Sequence, residues 1–188
     1  MKRAVVLDLD GTLLSCNTFE KYVRYLMFHY PSMIFISLIR KMRLISHETA
    51  KRLIMNVNVS EDRINLFIDT LLPFLRRELL GRFKGYEIIL ATAAPEGYVK
   101  ILAQRLGINR FCATKKNGPE NKGEEKLKNV VGILSKENME LYAVVTDHHD
   151  DLPLLEYNTC GENYLMAPDR ETRLELNSKK VRYSELFG

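Results

Sequence analysis

The sequence predicts an α/β protein in which a mostly parallel sheet carries helices on both faces and is interrupted by an inserted all-helical segment. Three observations indicate this class. Residues 5–7 are an apolar, β-forming run that leads directly into Asp8 and Asp10. Helical periodicity without strand signals then holds over residues 15–82, and strand and helix patterns alternate from residue 86 onward. Such alternation is typical of a right-handed, mostly parallel sheet.

The order of these patterns predicts one core that is discontinuous in sequence. Residues 1–14 and 83–188 are expected to form a Rossmann-like α/β core, and residues 15–82 are expected to form a helical cap. A chain of 188 residues is long enough for one core together with a small accessory module. The composition is that of an ordinary globular protein without repeats or low-complexity segments.

The first strand is predicted to deliver polar side chains to one edge of the sheet. An uninterrupted apolar run is the pattern of a strand that is covered on both faces. Asp8 and Asp10 lie where this run ends. In open α/β sheets the ligand crevice lies outside the carboxyl ends of the strands. We therefore expect both carboxylates to face a substrate or a metal, with Gly11 allowing the sharp turn that follows.

The helical segment contains several start and stop signals. A run of apolar residues at 33–39 predicts its second helix, and acidic residues after Ser60 favour the start of its fourth. The candidate helix starts are Thr18, Pro31, Ser46 and Ser60, and the candidate interruptions or ends are Pro73 and Gly81. The 33–39 run is much shorter than the ~20 apolar residues that a membrane span requires. We interpret it as a core helix of the cap.

The charge distribution leaves an alternative open for this cap. Residues 19–84 contain 12 Lys and Arg against 6 Asp and Glu, whereas the whole chain has a net charge of only +4. A solvated helix face is the usual explanation of such an excess. The alternative is an interfacial helix, with Arg40, Lys41 and Arg43 beside its apolar face, that makes peripheral contact with a membrane or an apolar substrate.

The second half of the chain contains the remaining strands and helices of the predicted sheet. Strands are expected at residues 87–91, 111–114, 141–146 and 163–166. Helices are expected at residues 96–106, 124–134 and 152–157, the first of them ending at Gly107.

Cellular context and partners are limited by a few further features. The chain opens Met-Lys-Arg and enters a strand at once, so we expect a cytoplasmic protein. The three cysteines, Cys16, Cys112 and Cys160, form no Cys-x-x-Cys pair, so neither a disulfide framework nor a thiolate metal site is predicted. No basic helix or aromatic-interleaved basic strand is present, so no nucleic-acid partner is expected.

Further polar residues fall at the predicted ends of elements. Thr92 follows the second strand, Lys122 precedes a helix, and Asp147, Asp150 and Asp151 follow a later strand. Carboxylates from two strand ends are suitable ligands for Mg²⁺, which prefers oxygen, and a lysine ammonium suits a phosphate group. The pattern therefore predicts a magnesium ion and a phosphorylated substrate at one edge of the sheet.

These residues resemble the four ordered motifs of the haloacid dehalogenase superfamily. The motifs are Asp8-Leu-Asp10-Gly11-Thr12, then Thr92 after a strand, Lys122 before a helix, and Asp147 with Asp151 after a further strand. The helical insertion after the first motif is most similar to that of the phosphoserine-phosphatase-like branch. The similarity in motif order covers essentially the whole chain, and it implies a phosphatase that hydrolyses a small phosphorylated metabolite with Mg²⁺ as cofactor.

The resemblance also implies roles for individual residues. Asp8 would be the nucleophile that forms an aspartyl-phosphate, and Asp10 would be the general acid and base. Mg²⁺ would be held by Asp8, the backbone carbonyl of Asp10, and Asp147, with Asp150 or Asp151 as a further ligand or as support. The groups implied to bind the phosphoryl oxygens are Thr92, Lys122 and the backbone amides of Gly11 and Thr12.

The sequence departs from this pattern in the fourth motif. Thr146 stands where glycine is common, and His148 and His149 replace small residues. The imidazoles are candidates for lining the site, titrating near neutral pH or binding a softer metal, although adjacent histidines more often point apart. Polar candidates for substrate contacts in the cap are Asn17, Glu20, Arg24 and Arg52.

Two other functions stay open at this point. The apolar, basic-flanked part of the cap favours a phosphatase of a lipid head group at a membrane surface. The altered fourth motif favours a non-catalytic protein that binds phosphate or a partner.

Overall fold

A parallel sheet forms the centre of the protein. The computed structural model describes residues 1–30, 33–34 and 46–186. Within these residues the strands are β1 (Lys2–Leu7), β2 (Glu87–Pro95), β3 (Arg110–Thr114), β4 (Met139–Thr146), β5 (Glu162–Met166) and β6 (Ser184–Leu186). They pair in the order β3-β2-β1-β4-β5-β6, and every pairing is parallel. The chain thus runs outward from β1 to β3 and then crosses to β4, which leaves a topological switch point between β1 and β4.

Helices connect the strands. In the described parts of the chain they are α1 (Thr18–His29), α2 (His47–Met55), α3 (Glu61–Leu71), α4 (Arg77–Arg82), α5 (Glu96–Arg105), α6 (Glu124–Lys136), α7 (Leu152–Tyr157) and α8 (Arg170–Ser178). Short 3₁₀ turns occupy Leu72–Phe74 and His149–Asp151.

Strand β1 is covered on both faces, as its apolar run predicts. Val5 and Leu7 belong to a core that includes residues of α1, α3 and α5. Ala4 and Val6 belong to a second core formed with α6, α7 and α8. Because successive residues of a strand point to opposite faces, four neighbouring residues serve both cores. The predicted class, a parallel sheet with helices on both faces, is confirmed.

Most predicted elements are present, with bounds that differ by a few residues. Helix α1 is capped by Asn17, whose side chain accepts the Glu20 amide, so the predicted cap at Thr18 is wrong by one position. Ser46 caps α2 as predicted. Gly81 lies inside α4 rather than after it. Helix α8 and strand β6 have no counterpart among the predicted elements.

The helical segment leaves and rejoins the sheet at one place. Leu14 and Leu75 form an isolated antiparallel bridge. Beside it, the Ser15 amide donates to Phe74 O (2.9 Å) and the Arg76 amide donates to Leu13 O (3.0 Å). Rings from α1, α3 and α5 then pack together, with centroids 4.9–5.3 Å apart; they are Tyr22, Phe67 and Tyr98. The assignment of residues 15–82 as a cap stays a prediction.

The apolar run at 33–39 can be followed only in part. Met33 is buried and Ile34 is exposed, but the remainder of the predicted second helix and its basic neighbours, Arg40, Lys41 and Arg43, lie outside the described residues. Within the described ranges, every helix is too short or too polar to cross a bilayer.

Candidate active site

The register of the central strands brings the acidic residues together. Leu7 pairs with Leu90 on one side and with Val145 on the other. The next residue, Asp8, donates its amide to Val145 O at 2.9 Å. The end of β1 therefore lies beside the end of β4, at the switch point where open sheets bind ligands. Asp8 and Asp10 share one cavity of about 210 Å³ with Thr92, Asp147, Asp151 and Lys126.

Lys126, on the first turn of α6, is the cation at the centre of this cavity. Its Nζ lies 2.9 Å from Asp8 Oδ1 and 2.6 and 2.8 Å from the two carboxylate oxygens of Asp151. The lysine side chain is only 5% exposed. Burial opposes its charge, but Asp151 and Asp8 together raise the pKa of Lys126, so it stays an ammonium ion. The fully charged lysine links the ends of β1 and β4.

The threonine that departs from the usual fourth motif contributes to this arrangement. Thr146 Oγ1 donates to Asp151 Oδ2 at 2.8 Å. Asp151 is therefore oriented by a hydroxyl and an ammonium ion together. A glycine at position 146 would lack this donor.

The loop after β1 approaches Asp147 closely at Gly11. Gly11 has φ +71°, and a Cβ built on it would lie 1.9 Å from Asp147 Oδ2. Both the backbone conformation and the available space therefore require glycine. The Arg76 guanidinium donates to the carbonyls of Gly11 and Thr12, the latter at 2.6 Å. The return of the helical segment thus holds the loop of the first motif in place.

Asp10 points to the start of α1. Its Oδ1 accepts the Thr18 amide at 2.6 Å, and the Thr18 hydroxyl contacts Tyr98 OH at 2.8 Å. Burial raises the pKa of Asp10, and the Thr18 amide partly opposes this rise. The carboxyl is therefore biased toward its protonated form and is held by the first residue of the helical segment.

Thr92 lies within β2, which extends to Pro95. The predicted strand ended at residue 91 and therefore placed Thr92 just after it. Its hydroxyl accepts the Ala94 amide at 3.1 Å. Its carbonyl accepts Asn121 Nδ2 at 3.0 Å, and the same amide nitrogen donates to Cys112 O. Asn121, one residue before Lys122, thus ties the start of α6 to β2 and β3.

Lys122 itself lies at the rim of the cavity. Its Nζ is 2.7 Å from Asp150 Oδ2, and its side chain is 49% exposed. The cation that contacts the predicted nucleophile is Lys126, four residues further along the chain. A signal for it was present in the sequence, because Lys126 falls on the buried stripe that continues at Val130 and Leu134.

The donor set fits a divalent cation. The pKa of Asp8 is raised to about 8, chiefly by burial; Lys126 lowers the pKa, and the neighbouring carboxylates of Asp151, Asp147 and Asp10 raise it. Burial likewise raises the pKa of Asp147 to about 6. These carboxylates repel one another, and among the described residues Lys126 is the buried ammonium ion that contacts Asp8 and Asp151. A divalent cation among oxygen ligands relieves this repulsion. Thr12 Oγ1 is buried and has no hydrogen-bond partner among the described residues.

A second cavity adjoins Asp10 and extends toward α1 and α2. It measures about 410 Å³, within the range of small-molecule sites. Its lining includes three of the predicted substrate contacts, Asn17, Glu20 and Arg24, together with Lys51. The fourth predicted contact, Arg52, is exposed on α2. Lys51 Nζ donates to Ala93 O at 3.1 Å and pairs with Glu120.

The adjacent histidines lie side by side rather than pointing apart. The ring centroids of His148 and His149 are 4.1 Å apart, with 32° between the planes. His148 Nδ1 lies 3.0 Å from Asp150 Oδ2, and His149 Nδ1 lies 3.2 Å from Thr172 Oγ1. Both residues are partly buried, and His148 lines the cavity.

Comparisons with known proteins agree with this architecture. A protein of unknown function from Bordetella pertussis Tohama I is 17% identical, with a TM-score of 0.76 over 100% of both chains. A phosphoserine phosphohydrolase-like protein from Francisella tularensis subsp. tularensis SCHU S4 is 18% identical, with a TM-score of 0.62 over 94% of this chain and 93% of that chain. A phosphoserine phosphatase described as a phospho-aspartyl intermediate analogue is 15% identical, with a TM-score of 0.54 over 96% and 99% of the chains. These similarities show a shared fold.

The sequence comparison is more specific. No curated protein matches the chain in sequence. The family model for haloacid dehalogenase-like hydrolases matches residues 5–156, a range that includes Asp8, Lys126 and Asp151. Because this match spans most of the chain, the protein belongs to the haloacid dehalogenase-like hydrolase family.

Proposed function

We propose that the protein is a Mg²⁺-dependent phosphomonoester hydrolase that acts on a small phosphorylated metabolite through an aspartyl-phosphate on Asp8. One observation carries the proposal: Asp8 is buried at the end of β1 and is held by Lys126, while Asp10 lies two residues further on with a raised pKa. A nucleophile, a proton donor and a cation for phosphoryl oxygens thus converge in one cavity.

The first half of the proposed reaction transfers the phosphoryl group to the protein. A carboxylate oxygen of Asp8 attacks phosphorus as the bond to the substrate oxygen breaks. Asp10 gives its proton to the leaving alcohol, which is the role for which its raised pKa suits it. Lys126 and Thr92 bind the phosphoryl oxygens, so the ammonium ion offsets the charge of the transition state.

The second half returns the enzyme to its starting state. Asp10, now ionised, takes a proton from a water molecule that attacks phosphorus. The bond to Asp8 then breaks and inorganic phosphate leaves. The amide of Thr12 would bind a phosphoryl oxygen, and Arg76 supports it by holding the carbonyls of the same loop. The Gly11 amide donates to Cys16 O at 3.3 Å and would have to release this bond to take the same role.

The proposed magnesium site uses the carboxylates at the strand ends. Asp8, the backbone carbonyl of Asp10, and Asp147 would hold the ion. When bound, it supplies positive charge that offsets the repulsion between an anionic nucleophile and an anionic phosphate. We assign Asp151 Oδ2 to holding Lys126, which donates to it at 2.8 Å, and Asp151 Oδ1, which is buried without a hydrogen-bond partner among the described residues, to supporting the metal. Lys126 takes the role that the resemblance gave to Lys122.

The 410 Å³ cavity beside Asp10 supports a small substrate rather than a macromolecule. Its mixture of acidic and basic side chains favours a polar metabolite, in keeping with the expected cytoplasmic location. The lipid-head-group alternative rests on residues 33–43, most of which lie outside the described residues, so no observation here favours it.

Hydrolysis of an aryl phosphate tests the proposal. We expect Mg²⁺-dependent turnover that is abolished by EDTA and restored by added Mg²⁺. Asp8→Asn is expected to eliminate turnover, whereas Asp62→Asn, an exposed position on α3, leaves it unchanged. Equal turnover in the wild type and Asp8→Asn would exclude Asp8 as the nucleophile. Metal binding without hydrolysis across a broad panel of phosphate esters would favour the non-catalytic alternative.

A further inference from the structure

We propose that His148, His149 and Asp150 form a second cation site, specific for a nitrogen-preferring divalent transition-metal ion. One ligand atom from each residue lies within 4.8 Å of the other two. Imidazole nitrogen suits Zn²⁺, Cu²⁺ and Ni²⁺, whereas the carboxylates around Asp8 suit Mg²⁺. The two clusters therefore select different ions, and this assignment does not depend on the proposed phosphatase activity.

The three ligand atoms, which lie within 4.8 Å of one another, need to move only slightly closer together to bind an ion. Ligands at about 2.0–2.1 Å from a tetrahedral zinc ion lie roughly 3.4 Å from one another. The side chains of His148 and Asp150 are 42% and 34% exposed, so both have room to rotate. The backbone of the 3₁₀ turn at His149–Asp151 then stays where it is.

The surroundings orient the His149 imidazole in the way that metal sites require. The His149 backbone amide and its Nδ1 both contact Thr172 Oγ1, at 3.3 and 3.2 Å. Thr172 is fully buried on α8, so it is a fixed support for the ring. A hydrogen bond from the second ring nitrogen fixes the ring of a metal-binding histidine in this way. His148 Nδ1 accepts the Asp150 amide at 3.2 Å, and it gives up this bond when it ligates an ion.

A cation already occupies part of this cluster. Lys122 Nζ lies 2.7 Å from the same Asp150 oxygen that faces His148. The lysine is half exposed, and an exposed ion pair contributes little to stability. A divalent ion can therefore replace the ammonium ion at little cost. Lys122, His148 and Asp150 also line the cavity that contains Asp8, so the bound ion lies at its mouth.

Electron paramagnetic resonance of bound Cu²⁺ tests the site in the full chain, with excess Mg²⁺ present to occupy the oxygen cluster. We expect one Cu²⁺ per chain with hyperfine coupling to imidazole nitrogen. His149→Ala and Asp150→Asn are each expected to weaken Cu²⁺ binding at least tenfold, and Thr172→Val about tenfold through the loss of ring orientation. His29→Asn is the matched control, because His29 lies at the end of α1, where its Nδ1 contacts Tyr25 O and its ring contacts Tyr25 and Phe28 of the same helix.

The possible outcomes separate cleanly. Weaker Cu²⁺ binding with one fewer coupled nitrogen in His149→Ala, and an unchanged affinity and spectrum in His29→Asn, support the site. A wild-type spectrum with oxygen ligands only, or an unchanged Cu²⁺ affinity and number of coupled nitrogens in His149→Ala together with an unchanged affinity in Asp150→Asn, overturns it. Circular dichroism of each variant confirms that it is folded, and Asp150→Asn, which keeps the shape of its side chain, decides the matter if His149→Ala does not fold.

Discussion

The same substitution is expected to have a large effect on stability at Lys126 and a small one at Lys122, four residues earlier. Lys126→Met removes an ammonium ion that faces three carboxylate oxygens within 2.9 Å and is 5% exposed. Removing one member of a buried charge pair costs about 3–5 kcal/mol, since the other charges stay buried. Lys122→Met removes a half-exposed partner of Asp150, and such a pair is worth only about 0–1 kcal/mol.

The same contrast is expected in catalysis. Loss of one preorganised group that stabilises transition-state charge lowers kcat about 10²–10³-fold. We expect a loss of this size for Lys126→Met and a change of less than tenfold for Lys122→Met. Urea unfolding measures the stability of both variants, and steady-state hydrolysis of an aryl phosphate with Mg²⁺ measures their activity.

Two results would refute this assignment of the lysines. One is an inactive Lys122→Met beside an active Lys126→Met, which would restore the role that sequence alone gave to Lys122. The other is equal stability of the two variants, which would show that Lys126 does not neutralise Asp8 and Asp151. Lys126→Gln, which can still donate hydrogen bonds, separates loss of charge from loss of packing if Lys126→Met is too unstable to assay.

Three further predictions concern the same cavity. Gly11→Ala should lower stability by about 1–2 kcal/mol from its positive φ alone and weaken Mg²⁺ binding by displacing Asp147, whereas Gly132→Ala in α6 should not destabilise; calorimetry measures both. Arg76→Met should lower stability by about 3–6 kcal/mol, because it loses two hydrogen bonds from a charged group that contribute ~1.5–3 kcal/mol each, and should lower kcat, with exposed Arg77→Met as the control. Finally, the metal-free protein should lose stability as pH rises from 4 to 8. Asp8 is protonated in the fold up to about pH 8 but ionises near 4 when unfolded, so the unfolded state binds fewer protons over this range. Thermal unfolding in EDTA measures the slope, and Asp8→Asn should flatten it.

Each of these predictions has a contrary result. Unchanged Mg²⁺ affinity in Gly11→Ala would mean that Asp147 is not a ligand. Equal activity of the Arg76 and Arg77 variants would remove the positioning role of Arg76. A metal-free melting temperature that is constant or rises between pH 4 and 8 would contradict the burial of an unpaired excess of carboxylates.

The sheet and the acidic positions were predictable because their signals are local and strong. The apolar run before Asp8 and the regular alternation after residue 86 specify parallel strands, and strand ends of a parallel sheet meet at one edge. Helix α8 and strand β6 were missed for a physical reason. Only Thr172 and Leu176 of α8 are buried, so its apolar period is weak, and β6 is three residues long.

Lys126 was not among the predicted site residues, because a charged residue in a helical pattern is usually solvated. Position 126 has the period of a core residue, but only tertiary contacts show that two carboxylates compensate its burial. The hydrogen bonds of Arg76 to Gly11 and Thr12 join residues that are 65 and 64 positions apart in the sequence. No local sequence pattern indicates a contact between residues so far apart. Likewise, the side-by-side histidines depend on Thr172 from α8.

The bridge between Leu14 and Leu75 gives the chain a modular plan. The two ends of the segment between them lie next to each other. The segment is therefore attached to the rest of the chain at one place, as a short loop would be, whatever its length. Closing a longer loop costs little, about 0.6 kcal/mol for each doubling. A replacement segment of different length can therefore join the core at the same place, provided that it keeps an apolar face against β1. It would also have to keep Thr18, which holds Asp10, and Arg76, which holds the loop of the first motif.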